Sequence, residues 1–513
     1  MLRTRNSLPR TYMYYDFNER DPMLHPSMGK ETKPAQRMTH TAPPSRCNDL
    51  WAAILFLTQA IAIGFFAVWK GLPAVLDRME KSKHGSKEYD FGNFFILLMG
   101  IFATTVALSG FWMKLLMSYA ESMIRVTLWC NVGLVIVFGL GTFPASPVAS
   151  LIFLLLAAVN ICYIYAVQNR IGFASANLKC ACAATIKFTG VFWVALLLVI
   201  QQIFWLTLWS TSAIGVYGMF KESHPNCQGF LKDNTRYNVD ASGDCGGAGT
   251  GFIVFAMLIS LYWGQQVLQN ILTCTVAGVV ATWWYRSGED GITVGALYRS
   301  VTTSFGSICL GSLFVSILQA MQTMARMLRE KAREEDNAAL ACVGCLAECI
   351  LGCLESIMEY LNMWAYIYVG IYGRDFRTSA KAVMDLFRSR GWTAVINDDL
   401  ASSALTFGAI GVGCVASCIG LIAVYFSPAS WFDAFGTKKS GYGVIGAAAF
   451  IAGTSVSMTM ANVVLASLHT VFVCFAEDPA ALQHNHPREY EDLISGWRQF
   501  HSDAIESAFG STV

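Results

Sequence analysis

Gln265, Gln266, Gln269 and Asn270 place four amide side chains within six residues of a stretch, Leu261–Tyr285, that otherwise reads as apolar helix. Amides neither titrate nor attack a substrate; they donate and accept hydrogen bonds. On a helix, Tyr262, Gln266, Gln269 and Thr273 fall on one face. Inside a membrane such groups join helices, each bond worth about 0.6–2 kcal/mol, or they line a polar cavity. One amide fits the first role. Four of them beside Tyr262 and Trp263 fit the wall of a cavity.

A second pattern lies upstream. Gln202, Trp205 and Trp209 follow i, i+3, i+7 and share a helical face inside a long apolar run. Aromatic faces attract cations through the ring quadrupole, and quaternary ammonium groups are their usual guests. Such a head group has no N–H to donate, so rings suit it better than carbonyls, while a hydroxyl on the same ligand calls for an amide. The residues expected to bind substrate are therefore Gln202, Trp205, Trp209, Tyr262, Gln266, Gln269 and Asn270, and the guest they suit is choline or a similar organic cation. Core packing of the two tryptophans and interhelical bonding by the amides is the competing reading.

Other reactive side chains point to less. Glu348, Glu355 and Glu359 line up with Asn362 and Tyr366 in one helical stripe. Acidic groups in a membrane face a cavity or a partner. Glu348 is expected in water, and Glu359 is the candidate for balancing charge or coupling protons. Cys342, Cys345, Cys349 and Cys353 also recur on one stripe, which cannot easily close a zinc tetrahedron; a packed stripe is expected, with lipidation as the alternative. Cys227 and Cys245 flank the one long polar connection with two cysteines and are expected to form a disulfide, which requires an oxidising compartment and places that loop outside. The string GYGVIG, residues 441–446, matches a dinucleotide-binding pattern but opens an apolar span, so its context excludes that role. No metalloprotease, serine-hydrolase or phosphate-loop motif occurs. No enzyme, metal or cofactor is expected.

The elements that must hold these residues follow from composition. The chain is 54% hydrophobic and 14% charged, against about a quarter charged in a soluble domain. A net charge of +1 leaves no footprint for nucleic acid. A spanning helix needs about 20 apolar residues, and ten stretches qualify: about 50–70, 93–113, 122–142, 148–168, 190–219, 252–285, 300–325, 346–371, 403–426 and 444–475. The expected fold is an all-α, polytopic membrane protein with a transmembrane domain over 49–476, in contact with membrane lipids.

Residues 1–48 read as a disordered cytoplasmic tail and 477–513 as a polar cytoplasmic tail. Eight Lys/Arg in the first tail favour a cytoplasmic N-terminus, and an even span count returns the C-terminus to the same side. Arg326, Arg329, Lys331 and Arg333 then fall on the external side, against the usual bias; either their helices run past the lipid or the span count differs in this region. Residues 374–392 are expected as an amphipathic helix along the cytoplasmic face. Phe376, Ala380, Val383, Met384 and Phe387 form its apolar stripe, and Arg377, Lys381, Arg388 and Arg390 are placed to meet lipid phosphates.

NMWAYIYVGIYGRDFRTSAKAVMDLF, from Asn362 to Phe387, resembles a pattern of the choline transporter-like family. TVAGVVATWWY, SFGSICLGSL and VCFAEDPAALQHNHP are similar to further segments of that family, and the resemblance runs over about residues 189–490. It implies a ten-span protein of the plasma membrane or an organelle, with both termini cytoplasmic. It also implies transport of choline, and in some members ethanolamine, in exchange for protons. The connection after the first span, about 71–92, is short, which resembles a fungal and protist branch. A non-transporting scaffold or lipid-handling protein on the same fold is the alternative.

Overall fold

The computed structural model describes residues 47–84, 91–144, 146–168, 171–223, 248–286, 291–334, 337–390, 400–428, 431 and 438–509. Among these the regular structure is helical throughout. Ten helices are long and apolar enough to cross a membrane: Leu50–Asp77, Phe95–Ser118, Ala120–Thr142, Ser150–Val167, Gly190–Met219, Gly251–Tyr285, Phe305–Glu334, Ala338–Tyr372, Ala401–Phe426 and Ser440–Glu477. Each overlaps one expected span. A helix satisfies its own backbone polar groups, which is why this solution is open to a chain crossing lipid.

In chain order the helices are α1 (Leu50–Phe66), continuing through a π-turn at Ala67–Gly71 into α2 (Leu72–His84), then α3 (Phe91–Ser118), α4 (Ala120–Thr142), α5 (Pro147–Val167), α6 (Ile171–Lys187), α7 (Gly190–Ser223) and α8 (Ala248–Tyr285). They continue as α9 (Ile292–Val301), α10 (Phe305–Glu334), α11 (Ala338–Tyr372), α12 (Phe376–Arg390), α13 (Leu400–Phe426), α14 (Lys438–Glu477), α15 (Pro479–Asn485) and α16 (Pro487–Phe509). α14 is the central element. It packs against α3, α6, α7, α8, α11 and α13. Its second half is a run of small and β-branched residues, from Ala461 to Ala476, most of them buried.

Local chemistry sets the helix ends. Asn337 accepts a hydrogen bond from Leu340 N at the start of α11, and Gly373, at φ 64°, ends that helix in the left-handed conformation. Asp478 caps α15 through Ala480 N and Ala481 N, with Pro479 in its first turn. Asp49 is the one non-glycine residue with positive φ among those described, at 50°. Its carboxylate accepts from Ser307 Oγ at 2.7 Å and from Phe376 N at 3.1 Å, so it caps α12. Asn48 Nδ2 donates to Gly373 O at 2.7 Å. The chain thus enters α1 already fastened to α10, α11 and α12, at what we call the entry end of the bundle.

The basic segment lies toward the end of a helix longer than a bilayer requires. α10 has 30 residues and α11 has 35, about 45 and 52 Å at 1.5 Å per residue, against a hydrocarbon core of about 30 Å. The C-terminal part of α10 and the N-terminal part of α11 pair through Glu348, which meets Arg326 at 3.1 Å and Arg329 at 2.6 Å.

α12 matches the expected amphipathic helix, and the structure also gives the direction of its stripe. Phe376, Val383 and Phe387 are buried in the core cluster of the bundle, while Arg377, Lys381 and Arg388 are exposed. Residues 479–509 of the C-terminal segment are ordered as two helices docked on the bundle. Trp497 of α16 is fully buried, with ring centroids 5.0 Å from Phe173 and 4.8 Å from Phe475, and donates to Asn177 Oδ1 at 3.1 Å.

Candidate functional site

α7 and α8 hold the expected binding residues, and the structure divides those residues between two flanks of α8. On the α7 side, Trp205 Nε1 donates to Leu261 O at 3.3 Å and Trp209 Nε1 to Met257 O at 2.9 Å. Each ring spans the gap to a backbone carbonyl one turn from the other. Gly264 makes this possible, because a Cβ there would overlap the Trp205 ring. Trp205 is buried and Gln202 and Trp209 are half-buried.

The other flank of α8 faces α10. Tyr262 Oη and Thr323 Oγ1 lie 2.8 Å apart, and Trp263 Nε1 donates to Cys309 O at 2.9 Å. Asn270 Nδ2 donates to Ser312 Oγ at 3.1 Å, and that hydroxyl lies 3.1 Å from Tyr366 Oη on α11. Asn362 Nδ2 completes the link by donating to Gly311 O at 2.9 Å. Gln266 is half-buried and Gln269 exposed. Asn270 and Tyr262 therefore meet α10, not the two tryptophans.

Of the acidic stripe, Glu359 is exposed and accepts from Gln319 Nε2 at 3.3 Å. Cys342, Cys345, Cys349 and Cys353 are free and exposed, and no metal-binding group of His, Cys, Asp or Glu occurs among the described residues. Cys227 and Cys245 lie outside the described residues.

A different carboxylate occupies the position expected of a buried charge. Glu477, at the last turn of α14, accepts from the hydroxyls of Tyr368 and Tyr372 on α11 and, at 3.4 Å, from Tyr285 on α8. The C-terminal segment closes over this hub. Trp284 Nε1 donates to Asp478 O at 2.9 Å, Asn485 Nδ2 to Trp284 O at 3.0 Å, and the His486 ring stacks on Trp283 at 4.3 Å. Arg390 of α12 donates to Ala476 O at 2.9 Å. Sequence reasoning grouped Glu477 with the polar tail. Its signal was the tyrosine pair at i, i+4 in α11, which shows as a hub only once α8 and α14 are known neighbours.

Several polar atoms in this region have no partner among the described residues. They include Gln59 Nε2 and Oε1, Ser212 Oγ, Ser260 Oγ, Gln265 Nε2 and Trp364 Nε1. Buried polar groups are satisfied in the great majority of cases, so each orphan calls for an explanation.

Fold and sequence together define a polytopic α-helical membrane protein. A family model described as plasma-membrane choline transporter matches residues 151–480, and the chain belongs to the choline transporter-like family. It is 28% identical over 467 residues to a CTL-like protein of Dictyostelium discoideum, covering 88% of this chain and 76% of that one. It is 26% identical to protein PNS1 of Cryptococcus neoformans over 90% of this chain and 83% of the relative. The PNS1 of Neurospora crassa is 27% identical, over 87% and 79%.

Proposed function

We propose that the protein is a carrier, not an enzyme, that moves choline or a choline-like organic cation across the plasma membrane, with both termini in the cytoplasm. The observation that carries this reading is family membership over residues 151–480, the segment that holds α7, α8, α10, α11 and α14. The entry end of the bundle, where Asp49 and Glu477 lie, is then the cytoplasmic end. Trp205 and Trp209 offer ring faces to the cation once their N–H groups are engaged with α8. Gln202 shares their face of α7 and supplies an amide, while Gln266 and Gln269 are the further amides of the proposed path on the other flank of α8. Exchange against protons requires a titratable group in the bundle, and Glu359 and Glu477 are the two acidic candidates.

A second reading has its own observation. Trp205, Trp209, Tyr262 and Asn270 all spend hydrogen bonds on neighbouring helices, which is what a non-transporting scaffold on this fold would do. Uptake of radiolabelled choline by Trp205→Ala, Trp209→Ala and Gln269→Ala, at surface expression matched to the parent, separates the two. The carrier reading expects a raised apparent KM in the tryptophan variants, by up to about thirtyfold for a ring contact worth about 2 kcal/mol, with partial recovery in Trp205→Phe. Unchanged uptake in all three assigns these side chains to packing.

A further inference from the structure

Gln59 was not among the residues singled out by composition or spacing. It is a lone amide in an apolar helix, LWAAILFLTQAIAIGFF. The structure turns it inward. Ala52, Phe56, Gln59 and Ile63 follow i, i+4, i+7, i+11 on α1; Ala52 and Ile63 are buried, and the Gln59 amide nitrogen and oxygen are both shielded from solvent. Neither atom has a hydrogen-bond partner among the described residues. Nine residues into α1, Gln59 lies about 14 Å along the helix, near half of a 30 Å hydrocarbon core. An unpaired amide there is costly, because lipid offers it no hydrogen bond.

The neighbours of this amide are specific. Phe56, one turn before it, stacks on Trp205 at 6.5 Å and meets Trp263 edge-on at 5.2 Å. The indole N–H groups of both tryptophans are spent on Leu261 O and Cys309 O, so the rings present only their faces. α1 and α8 run antiparallel, and the register that sets Phe56 against Trp263 places Gln59 level with Ser260. The Ser260 hydroxyl is buried and likewise unpartnered. Neither bonds to the other, so a donor and an acceptor are left unsatisfied on each of the two helices. One turn away stands an aromatic wall.

We propose that these unsatisfied groups of α1 and α8 bind the hydroxyl of a small amino alcohol, with Gln59 and Ser260 as its partners. A ligand hydroxyl donates one hydrogen bond and accepts others: it can donate to Gln59 Oε1 while accepting from Gln59 Nε2 or Ser260 Oγ. The alkylammonium end then lies toward Phe56, Trp205 and Trp263, whose rings favour a cation without N–H groups. This assignment rests on the carrier reading and makes it more specific: Gln59 and Ser260 decide between ligands that carry a hydroxyl and ligands that do not. A site that loses its hydrogen-bonding partner rejects the analogue, because its own buried polar groups go unpaired.

The test uses the full chain purified into liposomes. Uptake of radiolabelled choline is competed with unlabelled choline and with ethyltrimethylammonium, which lacks only the hydroxyl. The parent is expected to prefer choline by at least about tenfold. Gln59→Leu is expected to bring the two competitors within about threefold by weakening choline alone, and Ser260→Ala to lower the ratio part of the way. Should Gln59→Leu fail to fold, Gln59→Asn, which withdraws the amide by one methylene, and Ser260→Ala give the same readout. A parent that fails to discriminate, or variants that keep the parental ratio, overturns the assignment while leaving the carrier intact. Absence of choline uptake by the parent overturns the carrier reading and the hydroxyl site with it.

Discussion

The Glu477 hub yields a prediction with an internal order. Hydrogen bonds to a charged group are worth about 1.5–3 kcal/mol each. Tyr368 and Tyr372 donate at close range, while Tyr285 reaches the carboxylate only at 3.4 Å. Tyr368→Phe and Tyr372→Phe should each cost about 1.5–3 kcal/mol, and Tyr285→Phe under about 1 kcal/mol. Glu477→Ala removes the acceptor from both close donors and should cost about 3–6 kcal/mol. Glu477→Gln keeps one acceptor and should fall between. Because the three tyrosines share one partner, Glu477→Ala combined with Tyr372→Phe should cost less than the sum of the two. The assay is thermal unfolding of the detergent-purified protein, read as the rank order of apparent midpoints, since irreversible unfolding makes midpoints comparable only under one scan rate. A Glu477→Ala variant as stable as the parent, or a Tyr285→Phe variant as damaged as Tyr372→Phe, would refute the hub as the joint between α8, α11 and α14.

Three further outcomes follow from single contacts. An added Cβ at Gly264 overlaps the Trp205 ring, whereas one at Gly133 meets nothing within 4 Å; Gly264→Ala should lower the unfolding midpoint and Gly133→Ala should raise it, the latter by removing about 0.5–1 kcal/mol of helix penalty. Trp497→Ala should cost about 3–5 kcal/mol, as for other buried aromatics, and limited proteolysis should then cut within 487–509 before it cuts the spans. Burial holds the pKa of His486 below its usual 6.5, partly opposed by its bond to Trp283 O and by Glu489. The folded state therefore binds its proton less readily than the unfolded state, so this contribution is complete above about pH 6.5 and is lost as pH falls below it. The gap in midpoint between the parent and His486→Gln should shrink from pH 7.5 to pH 5.5, and a gap that widens would contradict the sign.

Much of the architecture was legible because lipid imposes it. A helix must be apolar for about 20 residues to cross, and the ten runs from Leu50 to Ala476 announce themselves by that alone. α6 is different. Its sequence, IGFASANLKCACAATIK, is rich in small residues and is buried between other helices rather than in lipid, so hydropathy passes over it. α16 escaped for the opposite reason. Its polar face dominates the composition, and the buried Trp497 is visible only once Phe173 and Phe475 are found around it. The stripe of α12 was readable from period, but period does not say whether the stripe meets lipid or protein; Val383 and Phe387 meet protein. The residues expected to bind substrate show the same limit. Trp205 and Gln202 do share a face, as spacing requires. That Asn270 turns to Ser312 while Trp205 turns to Leu261 depends on which helices flank α8, and no local pattern encodes that. Gln59 and Glu477 carried weak signals because each is a single polar residue whose meaning comes from partners far along the chain.

Choline flux through the purified protein tests the central claim most directly. Liposomes that contain the full chain should take up radiolabelled choline along an outward-to-inward gradient, with saturation and with inhibition by excess unlabelled choline. Protein-free liposomes should show neither. A saturable flux that Trp205→Ala weakens would establish a carrier whose cation path runs along α7 and α8. A flux equal to that of protein-free liposomes, from protein that is monodisperse and folded, would contradict the account and leave the aromatic and amide residues of these helices as packing in a non-transporting membrane protein.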